Sequence, residues 1–164
     1  MINNEKRRQK TALEHVLLGL VPYTRENIDL AFHPNRFFNE LDRLHGVRKA
    51  NAKRAYDNAI RRGYIALQND KVVLKSRALD LIAPYQAQVL GNDAQLLVIF
   101  DIPEEHSSKR VALRRLLQHL EFTQVQRSVW VSGMDYRQLL LSRIQEMDIG
   151  KYVEIHESLR LFPN

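Results

Sequence analysis

The stretch KANAKRAYDNAIRRGYIALQNDKVVLK, residues 49–75, combines a basic helical segment with a hairpin signal. Alanines and large apolar residues recur at helical spacing up to Arg62, and Gly63 ends the pattern. Two short β-type runs, 64–67 and 71–74, then flank Gln68, Asn69 and Asp70. Asn and Asp tolerate the left-handed backbone angles of tight turns, so these runs predict a β-hairpin.

A helical wheel divides the segment 48–62 into two faces. One face carries the residues that can pack on other helices: Ala52, Ala55, Tyr56, Ala59 and Ile60. The opposite face carries Asn51, Arg54 and Asn58 as a stripe at spacings of three and four. Arg can bond the O6 and N7 edge of guanine, and Asn the N6 and N7 edge of adenine. The stripe therefore predicts direct reading of DNA bases.

Further basic residues flank this stripe and are expected to bind phosphates, which fixes register without reading sequence. The full set of predicted DNA-binding residues is Arg48, Lys49, Asn51, Lys53, Arg54, Asn58, Arg61, Arg62, Lys71 and Lys75. A second interpretation is a solvated amphipathic helix whose cations only keep the protein soluble.

Two helices are predicted before this segment. Leu13, Val16, Leu17 and Leu20 predict a helix over 5–20, and residues 34–44 predict a shorter one before Gly46. A further helical stretch is expected over 76–83. Three helices followed by a hairpin, with the third helix basic, predict a winged helix-turn-helix domain over residues 1–83 that binds double-stranded DNA.

Charge separates the two halves of the 164-residue chain. Residues 1–90 hold 16 Lys and Arg against 9 Asp and Glu, whereas residues 91–164 hold 9 against 10. Such an asymmetry suggests two modules, of which the first meets an anionic partner. The chain has no cysteine, and its N-terminus lacks the apolar segment of a signal peptide. We therefore expect a cytoplasmic protein without a membrane partner.

The second half has the order of a small α+β domain. After a predicted linker over 84–94, the apolar run 96–100 predicts a covered strand, and Ser107 or Ser108 can cap a helix. Strands over 122–126 and 128–132, a helix over 135–147 and closing strands over 152–156 and 159–162 follow. This β-α-β-β-α-β order predicts a ferredoxin-like domain over 95–164. Its small core and exposed edges favour a homodimer, with Trp130 in the core or at the interface.

The segments LVIFDIPE (97–104), Lys109 to Leu117 and QRSVWVS (126–132) resemble the central domain of PaaX-type transcriptional repressors. That domain is itself similar to the small ferredoxin-like CRISPR spacer-acquisition protein called Cas-two. The resemblance covers residues 95–162. It implies a dimeric repressor that presents two winged helices to a palindromic operator. The family's usual C-terminal helical domain does not follow in this sequence, so sensing of an acyl-CoA effector is not carried over.

The same resemblance marks Asp101 as the one candidate for chemistry. In the CRISPR-associated relatives, an aspartate at the end of the first strand is proposed to bind a divalent metal. Asp101 would then hold Mg²⁺, and the alternative function is a metal-dependent nuclease or CRISPR-adaptation subunit with an added DNA-binding domain. One carboxylate per chain supplies few metal ligands, and an Asp that ends a strand can equally bond loop amides. We therefore expect a regulator without a cofactor rather than an enzyme. A third hypothesis is a scaffold that binds DNA without sequence choice.

Overall fold

The computed structural model describes residues 9–21, 34–68, 71–91 and 93–159. These residues belong to two compact units, Met1–Ile82 and Ala83–Asn164. Each unit has its own cluster of buried apolar side chains, so each is described separately.

Helix α1 spans Ala12–Gly19 and begins later than the apolar pattern predicts. Residues 9–11 are not helical, so the predicted helix start at residue 5 is wrong for these three residues. Residues 5–8 of the same prediction lie outside the described ranges. The reason is a capping box at Thr11. The Thr11 amide donates to Glu14 Oε2 at 2.6 Å, and the Glu14 amide donates to Thr11 Oγ1 at 3.2 Å. These bonds satisfy amides that a helix start leaves without partners.

The rest of the first unit consists of α2 (Pro34–His45), α3 (Lys49–Arg61), β1 (Ile65–Gln68), β2 (Lys71–Leu74) and the start of α4 (Ser76–Gln86). Strands β1 and β2 pair antiparallel, with Ile65 opposite Leu74, as the hairpin prediction requires. The predicted core positions Val16, Leu17 and Leu20 are buried together with Phe37 and Leu41.

Helix α4 continues through Pro84 and ends at Gln86, so the predicted helix end at residue 83 is too early. Proline removes one amide donor and crowds the carbonyl four residues earlier, so α4 lacks one backbone hydrogen bond at Pro84 and still continues for two residues. The residues that follow belong to the second unit and are hydrogen-bonded within it. The Leu90 amide donates to Gly133 O at 2.8 Å, and the Asp135 amide donates to Gln88 O at 2.7 Å. The predicted linker over 84–94 is therefore helical at its start and hydrogen-bonded in its middle.

The second unit is built on one antiparallel sheet. Its elements are β3 (Ala94–Phe100), α5 (Ser107–His119), β4 (Thr123–Gln126), β5 (Val129–Ser132), α6 (Arg137–Glu146) and β6 (Val153–Leu159). Short 3₁₀ turns precede α5 and β6, at Glu104–His106 and Gly150–Tyr152. The strands lie in the order β4-β5-β3-β6. The two predicted closing strands are one continuous strand, β6, since each β3 residue pairs with it from Ala94 to Phe100. Residues 160–162 of that prediction lie outside the described residues.

The two faces of this sheet differ. Leu96, Val98, Phe100 and Trp130 are buried in one cluster with leucines of α5 and α6. Trp130 is 3% exposed, which places it in the core. On the other face, Leu97 pairs with Val131 and Ile99 pairs with Val129, and all four side chains are only half-buried. We call these four residues the open sheet face.

Helices and antiparallel strands coexist in the chain, which confirms the α+β class. Among the described residues, no helix combines the length and the apolar character that a membrane span needs.

Candidate nucleic-acid interface

The turn between α2 and α3 sets the start of the basic helix. Gly46 follows α2 with φ +65°, a conformation that glycine adopts without the penalty that a Cβ brings. The Lys49 amide then donates to Asp42 Oδ2 at 3.0 Å. Asp42 thus satisfies an amide of the first turn of α3, a role that was not predicted from the sequence. The signal was an Asp four residues before a helix-ending glycine.

The predicted packing face of α3 is directed into the first core. Ala52 and Ala59 are fully buried, and Ala55, Tyr56 and Ile60 pack beside them. Burial, with a smaller contribution from the Asp57 carboxylate, raises the pKa of the Tyr56 hydroxyl. The small alanines let α3 approach its neighbours closely, so the opposite face is held outward.

The three residues of the predicted reading stripe are exposed together. Asn51 and Arg54 make no side-chain hydrogen bond within the described part of the chain, so their polar groups face solvent. Asn58 is also exposed, and its Oδ1 accepts a hydrogen bond from Arg61 Nη2. A base that bonds both the oxygen and the nitrogen of the Asn58 amide would compete with Arg61 for that oxygen, and a displaced Arg61 guanidinium would be released for a phosphate.

The predicted phosphate-binding residues differ in their surroundings. Arg48, Arg61, Arg62 and Lys75 are exposed, and Lys49 is half-buried. The Lys53 ammonium lies 5.9 Å from the centre of the Phe38 ring. Lys71 begins β2, but its side chain is not among those that the structure describes.

Arg77, in the first turn of α4, was missed in the sequence. Its guanidinium carbon lies 5.2 Å from the centre of the Tyr64 ring, beside Arg62 at the other end of the same motif. The Lys75 amide donates to Tyr64 O at 2.9 Å, which ties the start of α4 to the end of α3. In the sequence, Arg77 is only the second residue of a predicted helix, and nothing in the local pattern indicates a contact with Tyr64.

Most cations of this surface are not neutralised. In the described ranges, no acceptor or carboxylate pairs with the side chains of Arg48, Arg54, Arg62, Lys75 and Arg77. The surface formed by residues 48–62, Lys75 and Arg77, which we call the basic face, therefore keeps a net positive charge. Such a surface attracts polyanions at long range.

Asp101 follows β3 and is exposed, and its backbone amide donates to Tyr152 O at 3.0 Å. Across residues 9–21, 34–68, 71–91 and 93–159, no group of three or more His, Asp or Glu side chains is arranged to hold a metal ion. A single exposed carboxylate is a poor match for a resident divalent cation, which prefers six or more oxygen ligands. The donors of one chain, among the residues that the structure describes, therefore do not fit a Mg²⁺ site at Asp101.

The nearby Glu104 is held by an ion pair instead. The hydrogen bond from Arg110, together with its positive charge, lowers the pKa of the Glu104 carboxyl. Arg110 also donates to Ile102 O at 3.0 Å. These bonds hold the loop after Asp101 in place. They pair the charges of Glu104 and Arg110 with each other, so that neither charge indicates a bound ligand.

Comparison with known proteins gives one family match. Residues 93–161 match the model of the PaaX protein central Cas2-like domain. No curated protein matches the sequence. Among solved structures, an uncharacterized protein from Mycobacterium tuberculosis aligns at 18% identity and a TM-score of 0.39, over 90% of this chain and 59% of that one. The chain thus spans less than two thirds of that protein. By the family match, the second unit is similar to the central domain of PaaX proteins, which supports the PaaX-type resemblance found in the sequence.

Proposed function

We propose that this protein is a sequence-specific DNA-binding transcriptional repressor of the PaaX type, acting as a homodimer. In this proposal the first unit is a winged helix-turn-helix that reads DNA, and the second is a ferredoxin-like dimerisation domain. The observation that carries it is the exposed stripe of Asn51, Arg54 and Asn58 among cations that have no carboxylate partner within the residues that the structure describes. The family match at residues 93–161 supports it independently.

Helix α3 would lie in the major groove, where side chains can distinguish all four base pairs. Arg48, Lys49, Lys53, Arg61 and Arg62 would bind phosphates on either side, and Lys71 and Lys75 would do so from the hairpin. A repressor of this kind acts by occupying its operator. No group-transfer chemistry is needed.

The open sheet face is the surface we propose for dimerisation. Its centre is aliphatic and without charge, since Leu97, Ile99, Val129 and Val131 are neighbours through the strand pairing. A two-fold interface places the same patch against itself, so a neutral apolar centre is complementary to a second copy. On β6, the Glu154 and His156 side chains form a 3.0 Å contact in register with Ile99 and Leu97, which gives this centre a polar border. A polar rim around an apolar centre is the usual anatomy of such interfaces.

Two-fold pairing predicts the form of the operator. The half-sites should be inverted repeats with centres separated by a whole number of turns of about 10.5 bp. The test is selection of bound fragments from genomic DNA with the purified full chain, followed by footprinting of the enriched sequence. We expect the footprint to cover an inverted repeat, and we expect that repeat to be protected at a lower protein concentration than scrambled DNA.

The matched control is the Asn51→Ala, Arg54→Ala double variant, whose side chains are exposed and outside the core. It should fold and yet enrich no motif. If the wild type enriches no motif over the input library, the repressor proposal is wrong. If both proteins bind all duplexes equally, the scaffold hypothesis replaces it.

A further inference from the structure

The Tyr64 ring is shared by two guanidinium groups. Arg62 Cζ lies 5.5 Å from the ring centre, and Arg77 Cζ lies 5.2 Å from it. Tyr64 itself is buried in the first core, with 8% of its surface exposed. A ring that is fixed in the core therefore orients two exposed arginines that are fifteen positions apart in the sequence.

The backbone around this ring is also fixed. Gly63, with φ +70°, turns the chain from α3 into Tyr64, and the Tyr64 amide donates to Ala59 O at 2.9 Å. Tyr64 O accepts from the Lys75 amide at the base of the hairpin. The ring position is thus determined from both sides, by the end of α3 and by the start of α4.

Neither guanidinium is used for structure in any other way. Within the described part of the chain, the side chains of Arg62 and Arg77 have no hydrogen-bond acceptor and no carboxylate partner. Stacking on an aromatic ring uses the face of a guanidinium and leaves the in-plane N–H donors available. Those donors match the geometry of phosphate oxygens, which arginine binds in bidentate fashion.

We propose that Arg62 and Arg77, positioned by Tyr64, form a clamp that binds backbone phosphates of duplex DNA. The inference rests on the proposed function and adds Arg77 as a DNA-binding residue and Tyr64 as a positioning residue. The two Cζ atoms are at most about 11 Å apart, the sum of their distances from the ring centre. A DNA strand carries one phosphate per ~3.4 Å of helix axis, so neighbouring phosphates of one strand lie within reach of both groups.

Duplex DNA is the ligand because the clamp is continuous with the basic face. Arg62 follows α3 directly, and Arg77 lies two residues after the exposed Lys75. A phosphate contact carries no base information, so the clamp sets affinity and register while the stripe on α3 sets preference.

The experiment is a salt titration of binding by fluorescence anisotropy, with the full chain on an operator duplex and on a scrambled duplex. Each neutralised phosphate contributes about 0.9 to the slope of log affinity against log salt concentration on B-DNA. Arg62→Gln and Arg77→Gln should each lower the magnitude of that slope by about this amount, and each should weaken both duplexes by the same factor.

The matched control is Arg43→Gln in the same unit. Arg43 Nη2 is bonded to Glu40 Oε2 at 2.7 Å. The Arg43→Gln substitution therefore removes the same formal charge as the clamp variants, but from a guanidinium that is already paired with a carboxylate. Its slope should equal that of the wild type. Tyr64→Phe, which keeps the ring, should also leave the slope unchanged, whereas Tyr64→Leu should reduce it as both arginine variants together do.

The outcomes separate the clamp from the proposed function. If the wild type binds duplex DNA and the two arginine variants keep its slope, the clamp is wrong and the repressor proposal stands. If the wild type binds no duplex even at low salt, the proposed function fails and the clamp fails with it. A slope loss on RNA without one on duplex DNA would overturn the choice of ligand. Should Tyr64→Leu not fold, as judged by circular dichroism, the two arginine slopes decide the proposal alone.

Discussion

The cations on the basic face of the first unit differ in their pairing from three arginines of the second unit. In the second unit, Arg137 contacts both Asp135 and Glu157, Arg143 contacts Glu146, and Arg110 contacts Glu104. On the basic face of the first unit, Arg48, Arg54, Arg62, Lys75 and Arg77 have no such partner in the described residues. Cations that stabilise a fold are paired with carboxylates, whereas cations that bind a polyanion have to remain available to it.

The two units also differ in the apolar side chains that they leave accessible to solvent. The first unit directs the apolar face of α3 into its own core, through Ala52 and Ala59. The second unit covers one face of its sheet with α5 and α6 and leaves Leu97 and Ile99 half-buried on the other. This difference in surface chemistry is what the proposed function requires, with DNA as the proposed partner of the first unit and a second copy of the chain as the proposed partner of the other.

The largest expected effect tests whether the two cores are independent. Leu17 and Leu117 are both fully buried, one in each core. Replacing either with alanine leaves a cavity and should cost about 2–5 kcal/mol of unfolding free energy.

Trp130 is the only tryptophan and belongs to the second core, so its fluorescence reports on that unit. Leu117→Ala should lower the melting temperature seen by Trp130 fluorescence, and Leu17→Ala should not. An equal shift in both variants would mean that the units unfold as one.

The next effect concerns the open sheet face. Leu97→Asp would place a carboxylate in the centre of the proposed dimer interface, where burial of an unpaired charge is costly. The dimer dissociation constant should rise at least 100-fold, about 2.7 kcal/mol, measured by light scattering over a concentration series. The control is Leu141→Asp on α6, where the wild-type side chain is 53% exposed. A Leu97→Asp protein with unchanged mass in solution would remove the open sheet face as the interface.

A smaller effect separates reading from phosphate binding on the basic face. Arg54→Ala should weaken operator binding by about 1–3 kcal/mol and relax the preference at one base pair, because a guanine contact is lost. Lys75→Ala should weaken operator and scrambled duplexes by a similar factor and lower the salt slope. Competition assays with single-base operator variants measure both. Loss of affinity without any change in base preference for Arg54→Ala would contradict its reading role.

The smallest effect is a pH dependence confined to the first unit. The rings of His15 and His45 lie 4.9 Å apart, on α1 and at the end of α2. Burial, followed by the charges of His45 and Lys10, lowers the pKa of His15 despite the opposing Glu14 carboxylate. The folded state therefore binds fewer protons than the unfolded state just below the ordinary histidine pKa of about 6.5. The free energy of unfolding should then fall as the pH drops through that range.

Denaturant titrations between about pH 5 and pH 7.5 measure this dependence. His15→Gln should flatten the curve for the first unit and leave the transition of Trp130 unchanged. A wild-type curve that is flat, or that rises toward low pH, would contradict the lowered pKa.

Local patterns in the sequence predicted most elements, because their physical causes are local. The recurrence of Leu13, Val16, Leu17 and Leu20 at helical spacing predicted the apolar face of a helix, and these residues pack in the first core. Gly46 and Gly63 adopt the left-handed conformation that their positions as breaks implied. Even the start of α1 was readable, since Thr11 and Glu14 form the spacing of a capping box, but the apolar pattern drew the helix too far toward the N-terminus.

Other features were decided by contacts that are distant in the sequence. The last turn of α4 persists past Pro84, and the chain after it is bonded to residues around Gly133 and Asp135. The closing strand is continuous because β3 offers pairing partners along its whole length. No local propensity encodes these partners.

The sequence by itself determined most of the elements, the charge asymmetry and the polar stripe of α3, since helix periodicity and side-chain chemistry are properties of short segments. Only the tertiary structure decided which cations keep free donors and which are neutralised. It placed the guanidinium groups of Arg62 and Arg77 against one ring, and it brought Glu157 of β6 to Arg137, which also contacts Asp135. The physical reason is that pairing depends on distance in space, which the order of residues along the chain does not contain.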